Sequence, residues 1–291
     1  MTILEALEEF LQEKRVEGKR PATIRWYQQT VSYLLREHLD QPLVALNRSL
    51  VTQALLKNVS QATLGNYDRA LRGFCNWLVA VGYLDKNPFQ GRKRPRQDFR
   101  PRQVLSLDEI AALFAAARKD PRFRFRNQAI LALALGAGLR ASEICRLTLQ
   151  DIQWEEAVLR VEGKTGFSVV PLTKDTLRYL RLYVDRERRA TIPYLFVHRN
   201  RPLNANALSR WIHRLAKTAG IDRPVGMHLL RHTFATHFLK SGGDPFTLQR
   251  ILRHKTPAMT SRYLHLLTED LRERLQTVDL VALVKRGTRP R

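Results

Sequence analysis

The chain has 291 residues, enough for two domains with separate hydrophobic cores, since one domain usually takes about 100 to 200 residues. Its 50 lysine and arginine residues outnumber 27 acidic residues and give a formal net charge of +23, which indicates a polyanionic partner. The longest uncharged apolar run, residues 129–139, is shorter than the roughly 18 residues of a membrane-spanning helix, so hydropathy favours nucleic acid over a membrane.

The start of the sequence and its two cysteines bear on where the protein works. Residues 1–9 are acidic where a secretory signal would be basic. Cys75 and Cys145 stand singly within helical patterns, so they support neither a disulfide framework nor a zinc site. We therefore expect a cytoplasmic, nucleoid-associated protein that has no membrane partner.

Residues 3–82 are predicted to be helical. Apolar residues recur at i, i+3 and i+4 over residues 3–11 and again over residues 24–35, after Pro21. Two further helices are predicted at about 50–59 and 61–81, the last of them ending near Gly82. Together these four helices predict a compact N-terminal domain over residues 1–88.

A basic segment follows, which we predict to be a linker over residues 89–103. Pro95 and Pro101 disfavour a helix there, so the segment is expected to be extended. Its positive charge predicts contacts with a phosphate backbone, the alternative being an ordinary solvated linker. The predicted DNA-binding residues are Arg92, Lys93, Arg94, Arg96, Arg100 and Arg102.

A second domain is predicted over residues 104–279, beginning at a capping box formed by Ser106 and Glu109. Helices are predicted at about 107–118 and 126–137, and another begins at Ala141. Alternating apolar residues predict strands at 158–161 and 169–172, joined into a hairpin through Lys164, with a third strand at 195–197.

Helices return at about 174–189, 205–219 and 228–239. Gly242 and Gly243 end the last of these, Asp244 and Pro245 start another, and Thr256-Pro257 starts the helix that bears Tyr263. The predicted fold is mainly α with a small antiparallel β-sheet: a four-helix N-terminal domain followed by an α+β catalytic domain.

Six residues in the C-terminal two thirds of the chain have side chains that hold, protonate or attack a phosphodiester. Guanidinium groups stabilise the negative charge that develops during in-line attack. A tyrosine is a suitable nucleophile if cations and a base favour its ionised form, and a lysine on a hairpin is suited to protonating the leaving oxygen. The six residues are Arg140, Lys164, His228, Arg231, His254 and Tyr263.

Each of these residues also has a purely structural explanation when it is taken alone. His228 and His232 are spaced i, i+4 as in a zinc-protease helix, but Leu229 stands where that motif needs a glutamate. We therefore expect no metal. His232 and His237 are interpreted as structural residues.

Four strings in the second domain resemble those of the tyrosine recombinases, the family of phage-type integrases and Xer-like resolvases. They are Gly-Leu-Arg140-Ala-Ser-Glu143-Ile-Cys-Arg-Leu, Gly-Lys164-Thr-Gly, His228-Leu-Leu-Arg231-His-Thr-Phe-Ala-Thr-His, and Leu-Arg-His254 followed by Thr-Ser-Arg-Tyr263-Leu-His. The resemblance runs over about residues 104–268, and the N-terminal helices resemble the family's core-binding domain.

The resemblance implies a mechanism. Tyr263 would attack to give a 3'-phosphotyrosine and a free 5'-hydroxyl, while Arg140 and Arg231 hold the scissile phosphate. Lys164 would be the general acid, His228 would serve in proton transfer and His254 would donate a hydrogen bond to the phosphate.

Glu143 would orient Arg140. Because the ester stores the bond energy, the reaction would need no metal, ATP or other cofactor. Strand exchange on double-stranded DNA with a specific site would pass through a Holliday junction on a homotetramer, or on a hetero-tetramer, for integration, excision or dimer resolution.

The sequence departs from the family's pattern in two places. Arg253 replaces the glycine that usually precedes the second histidine, which puts the local turn geometry in question. The hairpin after Lys164 also lacks the usual extra basic residues.

Two other functions stay open at this point, and so does the structure of the tail. A topoisomerase would use the same tyrosine chemistry on DNA of any sequence. A DNA-binding protein would retain the fold without catalysis, although intact candidates at all six positions argue against it. The tail, residues 280–291, is predicted either to dock on a neighbouring protomer or to be a disordered end.

Overall fold

The computed structural model of the chain describes residues 1–95, 103–163 and 166–253. The chain separates into two compact units, Met1–Pro101 and Arg102–Arg291. Each unit has its own hydrophobic core. The predicted domain boundaries near residues 88 and 103 stay predictions, and the tail at 280–291 lies outside the described residues.

The four helices predicted for the first unit are confirmed. They are α1 (Ile3–Val16), α2 (Pro21–Leu35), α3 (Arg48–Leu55) and α4 (Gln61–Ala80). Helix α3 ends at Leu55 rather than near residue 59, and the next residue, Leu56, is 77% exposed. Leu56 is the C-cap residue, and its ψ of +69° takes the main chain out of the helix.

An aromatic cluster holds α1 against α4 in the first unit. The ring of Phe10 lies 5.5 Å from that of Phe74 and 5.4 Å from that of Trp77. The indole Nε1 of Trp77 donates a hydrogen bond to Glu13, which satisfies its polar atom at the edge of this core.

In its described residues, the second unit consists of helices and two small antiparallel sheets. Its helices are α5 (Leu107–Arg118), α6 (Arg124–Gly136), α7 (Ala141–Arg146), α8 (Lys174–Arg186), α9 (Ala205–Thr218), α10 (Met227–Lys240) and α11 (Pro245–Leu252). Its strands are β1 (Ile152–Gln153), β2 (Val158–Gly163), β3 (Gly166–Pro171), β4 (Val197–His198) and β5 (Arg201–Pro202). The predicted class, mainly α with small antiparallel sheets, is confirmed.

The predicted hairpin is confirmed, and the third strand predicted at 195–197 is present but begins two residues later, as β4 (Val197–His198). Strands β1, β2 and β3 form one antiparallel sheet in that order, and Ile152 pairs with Leu159. The segment predicted at 195–197 instead leads into β4, which pairs with β5 in a separate sheet. Leu195 is buried, yet its N–H donates to the carbonyl of Leu147 and its carbonyl accepts from Tyr183. The main chain of Leu195 is therefore hydrogen-bonded outside β4 and β5.

Helix α6 is the centre of the second unit. Every residue from 126 to 134 is buried, which confirms the buried helix expected from the apolar run. The helix packs against α5, α8 and α10. Within the three described ranges, the structure contains no helix that is long and apolar enough to span a membrane.

The predicted capping box at the start of α5 is also confirmed. Ser106 Oγ accepts from the N–H of Glu109 at 3.1 Å, and Glu109 Oε2 accepts from the N–H of Ser106 at 2.8 Å. Arg223 donates to Glu109 and to the carbonyls of Gln103 and Val104. These contacts fix the start of the second unit.

Gly138, just after α6, is expected to tolerate no side chain. Its φ is +60°, and a Cβ there would lie 2.6 Å from Phe234 Cδ1 and 2.7 Å from Leu252 Cδ2. Backbone strain and overpacking together predict that Gly138→Ala lowers the free energy of unfolding by about 2 to 4 kcal/mol. Urea denaturation measures this loss.

Gly220→Ala is the matched control. Gly220 has φ +74°, and a Cβ there would meet open space, so only the strain, about 1 kcal/mol, is expected. Equal losses for the two variants would contradict the packing argument.

Candidate active site

Arg140 lies at the turn between α6 and α7. It occupies the N-cap position of α7 in an extended conformation. Its main-chain N–H and its guanidinium Nη1 both donate to the carboxylate of Glu143, each at 2.8 Å. The side chain of Glu143 is 3% exposed and that of Arg140 is 31% exposed. The carboxylate is therefore enclosed, while the guanidinium group that it orients still reaches solvent.

Arg231, in α10, is buried beside the same carboxylate. Its Nη1 donates to the carbonyl of Gly138 at 2.5 Å, and its Nη2 donates to the carbonyl of Leu252 at 2.5 Å. Its Nη1 also lies 3.9 Å from Glu143 Oε2. One side chain thus links the end of α6 to the end of α11, and brings the two predicted phosphate-binding arginines to one place.

Arg253 is a third arginine at this carboxylate, and we did not predict it as a site residue. It ends α11 in the left-handed conformation, with φ +53° and ψ +46°. Its Nη2 donates to Glu143 Oε2 at 2.7 Å, and its Nη1 donates to the carbonyl of Ile251 at 2.7 Å. The turn that glycine usually allows is therefore kept with an arginine. The signal in the sequence was the departure from the family's glycine.

The charges of these groups set the protonation of Glu143. Burial raises its pKa, but the charge of Arg253 and the hydrogen bonds and charge of Arg140 outweigh burial, so the net pKa of Glu143 is lowered. Burial lowers the pKa of Arg253, and the charge of Glu143 partly offsets this. Arginine stays protonated in proteins, so three guanidinium groups face one carboxylate. The excess positive charge suits an anionic ligand.

His228 lies in the first turn of α10, is exposed, and precedes Arg231 by one turn. His237, later in the same helix, has Nε2 2.9 Å from the carbonyl of Leu105, which confirms its structural interpretation. In the described parts of the chain, no group of three or more His, Cys, Asp or Glu side chains is arranged to hold a metal ion.

Three of the six predicted catalytic residues, Lys164, His254 and Tyr263, lie outside the described residues. The two strands that flank Lys164 are described, and Gly163 pairs with Gly166. Arg146 Nη2, in α7, donates to the carbonyl of Glu162 in β2 at 3.2 Å. The hairpin is therefore attached to the helix that carries Glu143.

The described part of the predicted linker lies against the first unit. Arg92 Nη1 donates to Thr52 Oγ1 at 2.9 Å, and Lys93 and Arg94 are exposed. Arg94 lines a cleft of about 470 Å³ together with Arg69 and other residues of α4. Arg96, Arg100 and Arg102 lie outside the described residues.

Comparison with known proteins gives close matches in sequence and in fold. Residues 103–270 match the profile of the phage integrase family. A tyrosine recombinase of Thermosipho africanus is 30% identical over 244 residues, which cover 82% of this chain and 83% of the relative. Tyrosine recombinase XerA of Pyrococcus horikoshii is 30% identical over 289 residues, which cover 97% of this chain and 96% of the relative.

A solved structure also resembles the whole chain. The Tn1549 transposon integrase in complex with transposon right end DNA has a TM-score of 0.78 and 21% sequence identity, and the match covers 96% of this chain and 100% of that chain. At this identity the likeness shows a shared fold.

The lowered pKa of Glu143 predicts how its contribution to stability depends on pH. A carboxylate with a lowered pKa stabilises the fold fully above the ordinary pKa of glutamate, and this contribution is lost as the pH falls through the lowered value. Glu143→Gln should therefore unfold more easily than the wild type by about 3 kcal/mol at neutral pH. The difference should shrink on acidification, as measured by urea denaturation from about pH 7 to about pH 3.

Glu155→Gln is the control, because Glu155 is exposed. It should match the wild type throughout. A Glu143→Gln difference that stays constant over the whole pH range would contradict the assigned role of the carboxylate.

Proposed function

Because the chain belongs to the phage integrase family and is a tyrosine recombinase, an enzyme that cleaves and rejoins DNA, we propose that Tyr263 forms a 3'-phosphotyrosine at a specific DNA site. The observation that carries the proposal is the convergence of Arg140 and Arg231 on Glu143. Two guanidinium groups fixed in advance form a binding place for one phosphate.

The two arginines suit different parts of the phosphate-binding task. Arg231 is 6% exposed and is held by two carbonyls, so its direction is fixed before DNA binds. Arg140 is more exposed and is oriented by the carboxylate beside it. A transition state that gains negative charge on its non-bridging oxygens is stabilised more than the ground state by such fixed donors.

The proposed reaction proceeds in two balanced steps. The Tyr263 hydroxyl passes its proton to His228 as its oxygen attacks phosphorus, and the bond to the 5'-oxygen breaks as Lys164 protonates that oxygen. His228 takes part in proton transfer and His254 donates to the phosphate. In the second step a 5'-hydroxyl attacks the phosphotyrosine and releases the tyrosine, so the ester supplies the energy for rejoining and no metal or ATP takes part.

The basic composition supports further contacts with the DNA backbone, made by residues other than the proposed catalytic ones. The net charge of +23 and the exposed Lys93 and Arg94 suit phosphate contacts. We propose that residues 92–102 follow the backbone of double-stranded DNA. A homotetramer, or a hetero-tetramer with a relative, would exchange strands through a Holliday junction in the nucleoid.

Tyr263→Phe should bind site DNA like the wild type, within about twofold, and form no covalent adduct, because only the nucleophilic oxygen is removed. The site is first identified by sequencing chromosomal fragments that the wild type traps covalently. Covalent adducts are then counted on a nicked duplex of that sequence. In such a duplex the short cleaved strand dissociates after attack, so that the adduct cannot be rejoined. Excess EDTA and the absence of ATP should leave the wild-type yield unchanged.

Tyr179→Phe is the matched control, since its ring packs against Phe114 at 5.3 Å and the variant keeps that contact. It should form adducts normally. Adducts with Tyr263→Phe would reject the nucleophile. Relaxation of supercoiled DNA that lacks the site would instead favour a topoisomerase.

Affinity for site DNA should fall steeply with salt, because each phosphate contact releases counterions and adds about 0.9 to the slope of log affinity against log salt. Replacing both Lys93 and Arg94 by Ala should lower that slope by about 2. Fluorescence anisotropy over a salt series measures it.

Arg178→Ala serves as the control, since Arg178 already pairs with Asp175 at 3.7 Å. Its slope should equal that of the wild type. An unchanged slope for the double variant would reject the proposed backbone contacts.

A further inference from the structure

Arg253 occupies a backbone position that a glycine would fill more easily. Its φ of +53° lies in the left-handed region, where a Cβ is strained and glycine is not. The arginine side chain also has to be desolvated, since it is 9% exposed. Its buried Nε makes no hydrogen bond with any part of the chain that the structure describes. For folding alone, this is an unfavourable residue.

The compensating contact is made with the carboxylate that orients Arg140. Glu143 Oε2 accepts from Arg253 Nη2 at 2.7 Å and from the main-chain N–H of Arg140 at 2.8 Å. The other oxygen, Oε1, accepts from Arg140 Nη1 at 2.8 Å. Arg253 therefore holds one oxygen of the carboxylate while the other oxygen holds the guanidinium group of Arg140.

We propose that Arg253 is a positioning residue for phosphate binding: it fixes and neutralises the Glu143 carboxylate, so that the charges of Arg140 and Arg231 are available to the scissile phosphate. This inference rests on the proposed function. Arg253 acts through Glu143 and does not itself touch the reacting atoms.

The charge balance at the carboxylate explains why such a residue is useful. Three guanidinium groups around one carboxylate leave two positive charges for the ligand, whereas a glycine at position 253 would leave one. A phosphodiester carries one negative charge in the ground state and gains more as attack proceeds. The missing charge should therefore matter more for cleavage than for binding.

The arginine also ties together two distant parts of the chain. Arg253 follows the last residue of α11, and Glu143 lies in α7. The main chain immediately before His254 is thus anchored to α7, the helix that carries Glu143. The same contact would give a fixed starting point to the sequence that leads to the proposed nucleophile.

Single-turnover adduct formation on the nicked site duplex tests the proposal. Arg253→Gly should form adduct about 10- to 100-fold more slowly than the wild type, while its affinity for the duplex changes by less than about threefold. Arg253→Lys should recover part of the rate, because it keeps the charge but loses the planar fork. Arg253→Gln, which keeps a polar side chain but loses the charge and the reach of the guanidinium group, should recover little.

Arg199→Gly is the matched control. Arg199 has φ +48°, so the substitution relieves the same kind of backbone strain, but its side chain is exposed. Adduct formation should be unchanged in this variant. Thermal unfolding of all variants identifies any that are not folded. If Arg253→Gly proves to be unfolded, the test is made by comparing Arg253→Lys with Arg253→Gln.

A double-mutant cycle with Glu143→Gln asks whether Arg253 acts through the carboxylate. In the Glu143→Gln background, Arg253→Gly should slow adduct formation by less than about twofold further. If the double variant is slowed by the product of the two single-variant effects, the two residues act independently and the inference is overturned. If the wild type forms adducts and Arg253→Gly forms them equally fast, only this inference is overturned. If the wild type forms no adducts, the proposed function is overturned as well.

Discussion

The enclosed carboxylate of Glu143 is the contact on which the described part of the active site depends. Three segments of the second unit meet there: the start of α7, the second turn of α10 and the end of α11. Arg231 connects them to the carbonyl of Gly138, just after α6. A buried carboxylate without partners would be very costly, and its three arginines remove that cost. The same arginines provide the positive charge that a phosphate needs. Stability of the fold and readiness for an anion therefore come from one set of contacts.

Much of the fold could be predicted because it follows from local rules. Apolar periodicity and capping residues locate the helices, and Ser106 with Glu109 marks a helix start that the structure confirms. The strand predicted at 195–197 shows where local rules end. Its first residue, Leu195, is as apolar as a strand residue, but its hydrogen-bond partners come from elsewhere in the chain, and the strand begins only at Val197. The two-residue strand β1 has no periodicity to detect.

The pairing of Arg140 with Glu143 could be predicted from the sequence, but the other contacts of the carboxylate could not. The string around Arg140 and Glu143 indicates their pairing, because the two lie one helical turn apart. The role of Arg253 was not accessible in the same way, since its partner lies far away in sequence. In the sequence, its replacement of a glycine only puts the turn geometry in question. In the structure, its side chain adds a positive charge beside Glu143, which no local sequence pattern indicates.

Two arginines of the second unit, the half-buried Arg188 and the buried Arg231, bond to carbonyls, which leaves their positive charge uncancelled. Arg188 donates to the carbonyls of residues 190, 192, 194 and 195, and Arg231 donates to two further carbonyls. Carbonyl acceptors satisfy the N–H groups without cancelling the charge. A set of carboxylate partners would satisfy the same donors but weaken attraction to a polyanion.

The long sequence separation between Glu143 and Arg253 has a consequence during synthesis. The two residues are 110 positions apart, and a ribosome adds about 5 to 20 residues per second. A nascent chain thus carries Arg140 and its carboxylate for several seconds before the arginine that completes the cluster exists. An emerging polypeptide therefore has the positive charge of a basic chain before the arginine cluster around Glu143 is assembled.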